Sequence, residues 1–280
     1  MPLSTIPVVV HKFGGAALAD ATAIANVGAL LASDVTVQRR VIVTSALQGV
    51  TNALLEAVRL AIAGDHAAAN VLVGELRARH IAVASSLLAG SAASELSTTL
   101  LTSLHAASDE LRAQLAVMTG PETNTEALSD AILAFGERQA AKIVSAMLQA
   151  RGMASTVVDG AELIRTDGRH GNAAPDLART DATAGDALEP WFQRGMMVVV
   201  SGFIGAGRED KVVTLGRGGS DLTAAVLARA LDAHEVILWK DVAGCMTADP
   251  RIDIDDASDG DAGGLAGPGG GDGQGGVLPP

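Results

Sequence analysis

An α/β fold with a mainly parallel central sheet is the class this 280-residue sequence predicts, and three observations predict it. Short apolar runs rich in β-branched residues recur along the chain, at residues 7–13, 41–44, 155–158, 196–201 and 234–239. Segments with helical spacing of apolar residues separate most of them, which is the pattern of βα units rather than of hairpins. Several runs end directly in glycine, at Gly14 and Gly15, near Gly49 and at Gly202. In open α/β sheets, ligands collect where strands end and helices begin.

The first run, PVVVHKF, reads as a buried strand with Lys12 near its C-terminal end. Gly14 and Gly15 turn the chain into a helix over residues 20–31. Lys12 is placed to touch a phosphate, or simply to solvate a strand end. The second run, VIVT, leads through Ser45 to Gly49-Val50-Thr51-Asn52 and a helix that ends near residue 63. Ser45 and Thr51 are either hydroxyl donors to an anion or turn and cap residues. Residues 67–118, rich in Ala and Leu, are predicted helical with a break near Gly90 and Ser91; they pack beside the sheet or offer a lid or dimer surface. The next helix, residues 127–150, carries Phe135-Gly136-Glu137-Arg138. Glu137 there is either an exposed partner of Arg138 or a buried carboxylate, which is costly unless paired.

A strand at 155–158 leads into a polar loop at 165–176 and then, through a connection read as poor in helix, to the strand at 196–201. After a turn at 202–210 comes the densest stretch, Val213-Thr214-Leu215-Gly216-Arg217-Gly218-Gly219-Ser220-Asp221. A β-rich segment runs into a glycine turn, and Ser220 is placed as the N-cap of a helix through residue 231. That arrangement brings free backbone N–H groups and the positive end of a helix dipole to one point. Arg217 adds forked donors suited to a carboxylate or phosphate, and Asp221 an acid in the first turn. The plain structural alternative is a capped βα turn with a solvated arginine.

Composition narrows the function classes. The formal charge is −12, with six of the acidic residues between Asp253 and Asp272, so a nucleic-acid binder with a basic stripe is not expected. No apolar run approaches the roughly 18–20 residues of a membrane span, and no secretory signal is visible. The single Cys245 excludes an internal disulfide. A cytoplasmic protein is the expectation. The six histidines lack metal-ligand spacing, so no protein metal site is expected. Neither GxxxxGK[ST] nor GxGxxG is present. Residues 258–280, rich in Gly and Asp, have little to bury and are expected to be disordered, with a boundary between residues 1–252 and a tail at 253–280.

Ordered blocks resemble the aspartate kinase branch of the amino acid kinase family. They are Lys12-Phe13-Gly14-Gly15, Thr44-Ser45-Ala46 with Gly49-Val50-Thr51-Asn52, Gly136-Glu137-Arg138, and Asp167-Gly168-Arg169 with Gly171-Asn172-Ala173. Gly202-Phe203-Ile204-Gly205, the stretch from Leu215 to Asp221, and Trp239 through Arg251 follow. The resemblance implies a three-layer αβα sandwich. It also implies transfer of the ATP γ-phosphate to the β-carboxylate of L-aspartate, giving 4-phospho-L-aspartate on the route to lysine, threonine and methionine. L-aspartate and Mg-ATP are the implied partners, ATP and Mg2+ the implied cofactors. By the same resemblance Lys12, with Phe13 and the Gly14–Gly15 turn, holds the transferring phosphoryl group. Arg217 pairs with the substrate α-carboxylate and Glu137 with its ammonium. Ser45, Thr51 and the backbone of Gly218, Gly219 and Ser220 complete the amino acid pocket. Asp221 orients Lys12 or helps hold Mg-ATP, while Lys240, Asp241, Met246 and Arg251 lie along the nucleotide.

The chain departs from the family pattern in places. Ala16 and Ala17 replace the usual Thr-Ser, Lys240 stands where a threonine is common, and Met246 where many members have tyrosine. The likeness stops after Arg251, so the usual C-terminal segment, the paired ACT domains and feedback by lysine or threonine are expected to be absent. A stand-alone enzyme, a homodimer and part of a larger bifunctional aspartokinase–homoserine dehydrogenase all fit. Two other readings stay open: a kinase for another acid such as glutamate or N-acetylglutamate, and an inactive amino-acid-binding pseudokinase fragment.

Overall fold

The computed structural model describes residues 6–34, 39–90, 94–119 and 124–240. These all belong to the first of two compact units, Met1–Val242; the second, Ala243–Pro280, lies outside the described residues, as do the expected boundary at 252 and the tail. In chain order the elements are β1 (Val8–Phe13), α1 (Ala21–Ser33), β2 (Arg39–Thr44), α2 (Val50–Ile62), α3 (His66–Leu88), α4 (Ser94–Ala116) and α5 (Thr125–Ala150). There follow β3 (Ser155–Val158), α6 (Gly160–Leu163), α7 (Leu177–Gln193), β4 (Met197–Ser201), β5 (Ile204–Ala206), β6 (Val212–Thr214), α8 (Gly219–Ala230) and β7 (Glu235–Trp239).

Five strands form one parallel sheet in the order β3-β4-β2-β1-β7, and β5 pairs antiparallel with β6 as a separate hairpin. Successive side chains of a strand point to opposite faces. Phe13, Ile42 and Val199 therefore join one core with α1 to α5, while Val8, Val10, Val41, Val43, Val198 and Val200 join a second core with α7 and α8. Both faces are covered, which is why the central strands are apolar throughout rather than alternating. The result is the three-layer αβα sandwich that the resemblance implies.

Short polar side chains start most helices. Asp20, Asp65, Asn124 and Asp176 each accept a hydrogen bond from the backbone N–H three residues on, at 2.8, 3.0, 3.0 and 3.1 Å. Two readings need correction. The connection before β4 is not poor in helix: α7 fills it despite its threonines, Gly185 and Pro190. Its buried residues Thr180, Ala184, Leu188 and Phe192 recur every fourth position, and the last three pack into the second core, so tertiary burial overrides weak propensity. Nor is Ser220 the N-cap of α8. Gly218, left-handed at φ +76°, holds that position, and helical geometry begins at Gly219.

Gly160 opens α6 and the loop that leads to the site. A Cβ there would lie 2.1 Å from the backbone oxygen of Ser201, and the Gly160 N–H donates to Ser201 Oγ at 2.9 Å. Gly160→Ala is expected to cost about 1–3 kcal/mol of stability, because backbone rather than a flexible side chain must move. Chemical denaturation of both forms measures this, and an unchanged midpoint would refute the packing constraint.

Candidate active site

The site forms where the parallel strands end. The Ser45 N–H donates to the Phe13 carbonyl at 3.1 Å and the Gly202 N–H to the Thr44 carbonyl at 2.9 Å, so the loops after β1, β2 and β4 leave the sheet together. Above them is a cavity of about 640 Å³, within the range of small-molecule sites. Lys12 lies on its floor, 7% exposed, with its ammonium 2.7 Å from Asp221 Oδ1. Lys240 donates to the other oxygen, Asp221 Oδ2, at 2.7 Å. Partial burial would raise the Asp221 carboxyl, but hydrogen bonds and charge from Lys12 and then Lys240 outweigh it and hold the group below its usual range.

The Gly216-Arg217-Gly218 turn forms the rim, with Gly216 at φ +73° and Gly218 at φ +76°. Both angles suit glycine, and between them Arg217 faces the cavity. Gly218 supplies no side-chain cap hydrogen bond to α8. Ser220, 8% exposed, lies one residue into the helix against Gly202, where a Cβ would come within 2.9 Å of the serine Cβ.

Glu137 forms the back wall. Gly136 precedes it because Ala46 and Val50 leave no room there: a Cβ would sit 2.7 Å from Ala46 Cβ. That close approach presses α5 against the loop after β2. Glu137 is 3% exposed, so the alternative of an exposed partner for Arg138 fails; Arg138 pairs instead with Asp159 at 2.6 Å. Burial pushes the Glu137 carboxyl up to about 8, against the backbone N–H groups of Ala46 and Glu137 and the charge of Lys12, which pull it down. Its Oε2 is buried without a hydrogen-bond partner among the described residues. A buried acceptor facing a cavity with no donor of its own is suited to a cation brought by a ligand.

Lys12, Gly15, Ser45, Thr51, Glu137, Arg217, Gly218, Gly219, Ser220 and Asp221 all line this cavity. Gly14 sits beside it, its N–H 3.4 Å from the Trp239 carbonyl, whereas the Phe13 side chain is buried in the core beneath. Ala16 and Ala17 open instead on a second, apolar cavity of about 350 Å³ with Phe13, Trp239 and Lys240. Asp241, Met246 and Arg251 lie outside the described residues. Among the described residues no group of three His, Cys, Asp or Glu is arranged to hold a metal.

Some lining residues had no role in the sequence reading: Leu133, Gly171, Phe203 and Thr214. Phe203 is unusual, with φ +70°, a conformation that costs a non-glycine residue on the order of 1–3 kcal/mol. Its N–H donates to Thr223 Oγ1 at 3.0 Å and its carbonyl accepts from the Leu215 N–H at 2.8 Å, which holds the ring over Gly219. Gly171 and Phe203 lie in recognisable blocks, but only the fold brings those blocks to the same wall.

The sequence profile of the amino acid kinase family matches residues 7–279. Lysine-sensitive aspartokinase 3 of Escherichia coli (strain K12) is 34% identical over 245 residues, 88% of this chain and 51% of that protein. Bifunctional aspartokinase/homoserine dehydrogenase 1, chloroplastic, of Zea mays is 32% identical over 86% of this chain and 26% of its own length. The crystal structure of E. coli aspartokinase III in complex with aspartate and ADP superposes with a TM-score of 0.75 at 30% identity, covering 87% of this chain and 51% of that one. The chain thus spans about half the length of the first relative and about a quarter of the second. Among the described residues no helix is long and apolar enough to cross a membrane.

The buried Glu137 makes stability depend on pH in a defined direction. Between its ordinary value of 4.5 and about 8 the folded chain keeps the proton and the unfolded chain loses it, so this group lowers stability as pH rises. Glu137→Gln removes that term. Its stability relative to the parent is expected to grow steadily across the window, and thermal unfolding at several pH values measures it. A difference that stays constant with pH would contradict the buried, protonated carboxyl.

Proposed function

Because this chain belongs to the amino acid kinase family, we propose that it transfers the γ-phosphoryl group of Mg-ATP to the β-carboxylate of L-aspartate, giving 4-phospho-L-aspartate and ADP. The observation that carries this reading is the arrangement in one cavity of a buried Glu137 whose Oε2 has no hydrogen-bond partner among the described residues, the Arg217 fork and the Lys12–Asp221 pair. Glu137 receives the substrate ammonium and Arg217 its α-carboxylate, so an amino acid is recognised at both poles. Ser45, Thr51 and the backbone at Gly218, Gly219 and Ser220 complete that pocket. The relative solved with aspartate and ADP supports the choice of substrates.

Phosphoryl transfer asks little covalent chemistry of a protein; catalysis is positioning and neutralisation of charge on the transferring group. The acceptor arrives as a carboxylate and needs no base to deprotonate it. Lys12 neutralises charge on the phosphoryl oxygens, with its direction set by Asp221, while the backbone turn at Gly14 and Gly15 allows the phosphate to approach closely. Lys240 joins the nucleotide side through its contact with Asp221. Mg2+ is held chiefly by substrate phosphates with one or two carboxylates. Asp221 is the carboxylate on the nucleotide side of this cavity, and since its two oxygens already contact Lys12 and Lys240 it would help hold Mg-ATP by exchanging one of those contacts. Bound there, the ion would supply further neutralisation of phosphate charge.

Purified chain with Mg-ATP is expected to release ADP in an L-aspartate-dependent manner, and Lys12→Ala to lower turnover on the order of 10²- to 10³-fold. Turnover with glutamate but not aspartate, or none from a folded chain, would overturn the assignment. Aspartate binding must ionise Glu137, so affinity is expected to rise as pH approaches about 8, with proton release on binding at lower pH. Glu137→Gln should weaken binding and flatten that profile; a profile that keeps its slope would remove Glu137 from ammonium recognition.

A further inference from the structure

Asp130 stands two turns before Glu137 on α5, so the two carboxylates lie on one side of that helix. It is 1% exposed and does not line the cavity. Its oxygens accept from a hydroxyl and a backbone N–H and contact an imidazole nitrogen. Thr214 Oγ1 donates to Oδ1 at 2.6 Å, the Gly171 N–H lies 3.1 and 3.2 Å from the two oxygens, and His170 Nδ1 is 2.6 Å from Oδ2. These partners come from two separate segments, the 165–176 loop and β6. Gly171 and Thr214 do line the cavity.

The connection runs on to Arg217. Asn172 packs against Gly216, where a Cβ would lie 2.2 Å from Asn172 Oδ1, and the Ala173 N–H donates to the Thr214 carbonyl at 2.9 Å. Within the loop, Asp167 Oδ1 accepts from the Arg169 and Ala174 N–H groups, each at 3.1 Å. The loop therefore holds its own shape, and what Asp130 adds is its attachment to α5.

We infer that Asp130 is a positioning residue for amino acid recognition: it fastens the 167–173 loop and the end of β6 to the helix that carries Glu137. It thereby sets the Arg217 turn at the right separation from Glu137. This rests on the aspartate pocket proposed above. The nucleotide side is held by contacts that do not include Asp130, namely Gly14 with the Trp239 carbonyl and Lys12 and Lys240 with Asp221, so loss of Asp130 should affect the two substrates unequally.

The test is calorimetric titration of L-aspartate into the full chain, alongside kinase assays, for the parent, Asp130→Ala, Asp130→Asn and His170→Phe. Asp130→Ala is expected to weaken L-aspartate binding and raise its KM on the order of 10- to 100-fold, with the KM for ATP within about two-fold of the parent. Asp130→Asn, which keeps an acceptor for Thr214 and the Gly171 N–H, should recover most of the loss. His170→Phe removes one contact at a partly exposed position and should weaken aspartate by a smaller factor. Unchanged aspartate affinity in Asp130→Ala overturns the inference, as does an equal rise in both KM values. Should Asp130→Ala fail to fold, unchanged aspartate affinity in folded His170→Phe overturns it. A parent chain that binds no L-aspartate removes the proposed function and this inference with it; a parent that binds normally confines any failure to Asp130.

Discussion

An ammonium buried near the end of β1 needs a counter-charge, and the chain supplies it from the start of α8. Lys12 and Asp221 meet at 2.7 Å with the lysine side chain 8% exposed. Left alone, that charge would be among the most costly groups in the fold. Holding Asp221 there requires α8 to begin beside the end of β1. The chain reaches that point from the β5–β6 hairpin only through the sharp Gly216-Arg217-Gly218 turn. The pair thus fixes where the helix starts, where the arginine points and which backbone groups face the cavity.

Glu137 is the complementary case, a buried carboxyl whose Oε2 has no hydrogen-bond partner among the described residues. Gly136 lets α5 come close to the loop after β2, and the carboxylate is carried into the wall as a consequence. Its raised proton affinity is the energetic signature of that burial. The two sites express one principle with opposite outcomes: Lys12 is satisfied internally by Asp221, whereas Glu137 Oε2 is left, on the function proposed above, to be satisfied by what binds. A pocket with one unsatisfied acceptor and one arginine fork favours a zwitterion over a simple anion, because a simple anion would satisfy only the arginine.

α5 joins these features. It is buried along most of its length, it touches the sheet, and it carries Asp130, Glu137 and Arg138 to three different tasks. Arg138 pairs with Asp159, which also caps α6 through the Ala161 N–H at 2.9 Å. The loop between α6 and α7 then meets the cavity at Gly171, with its shape set by Asp167 and its hydrogen bonds to α5 made by Asp130. Few of these links involve neighbours in sequence.

That division separates what the amino-acid order determined from what only folding decided. The strand runs, the glycine turns and the α/β class were legible because each is a local property: apolar periodicity, or freedom at φ that one residue type possesses. The grouping of Lys12, Glu137, Arg217 and Asp221 was legible as well, because ordered blocks resemble a family, although their geometry was not. Three features escaped. The helix α7 follows from burial of Ala184, Leu188 and Phe192 against a core built by other segments, which weak local propensity does not reveal. The cap at Gly218 rather than Ser220 depends on a backbone angle imposed by the turn. The Asp130 cluster joins residues whose approach requires sheet order, hairpin and loop to be in place together. Local chemistry is written residue by residue, whereas the pairing of distant charges depends on topology, and only the assembled sheet brings them within hydrogen-bonding distance.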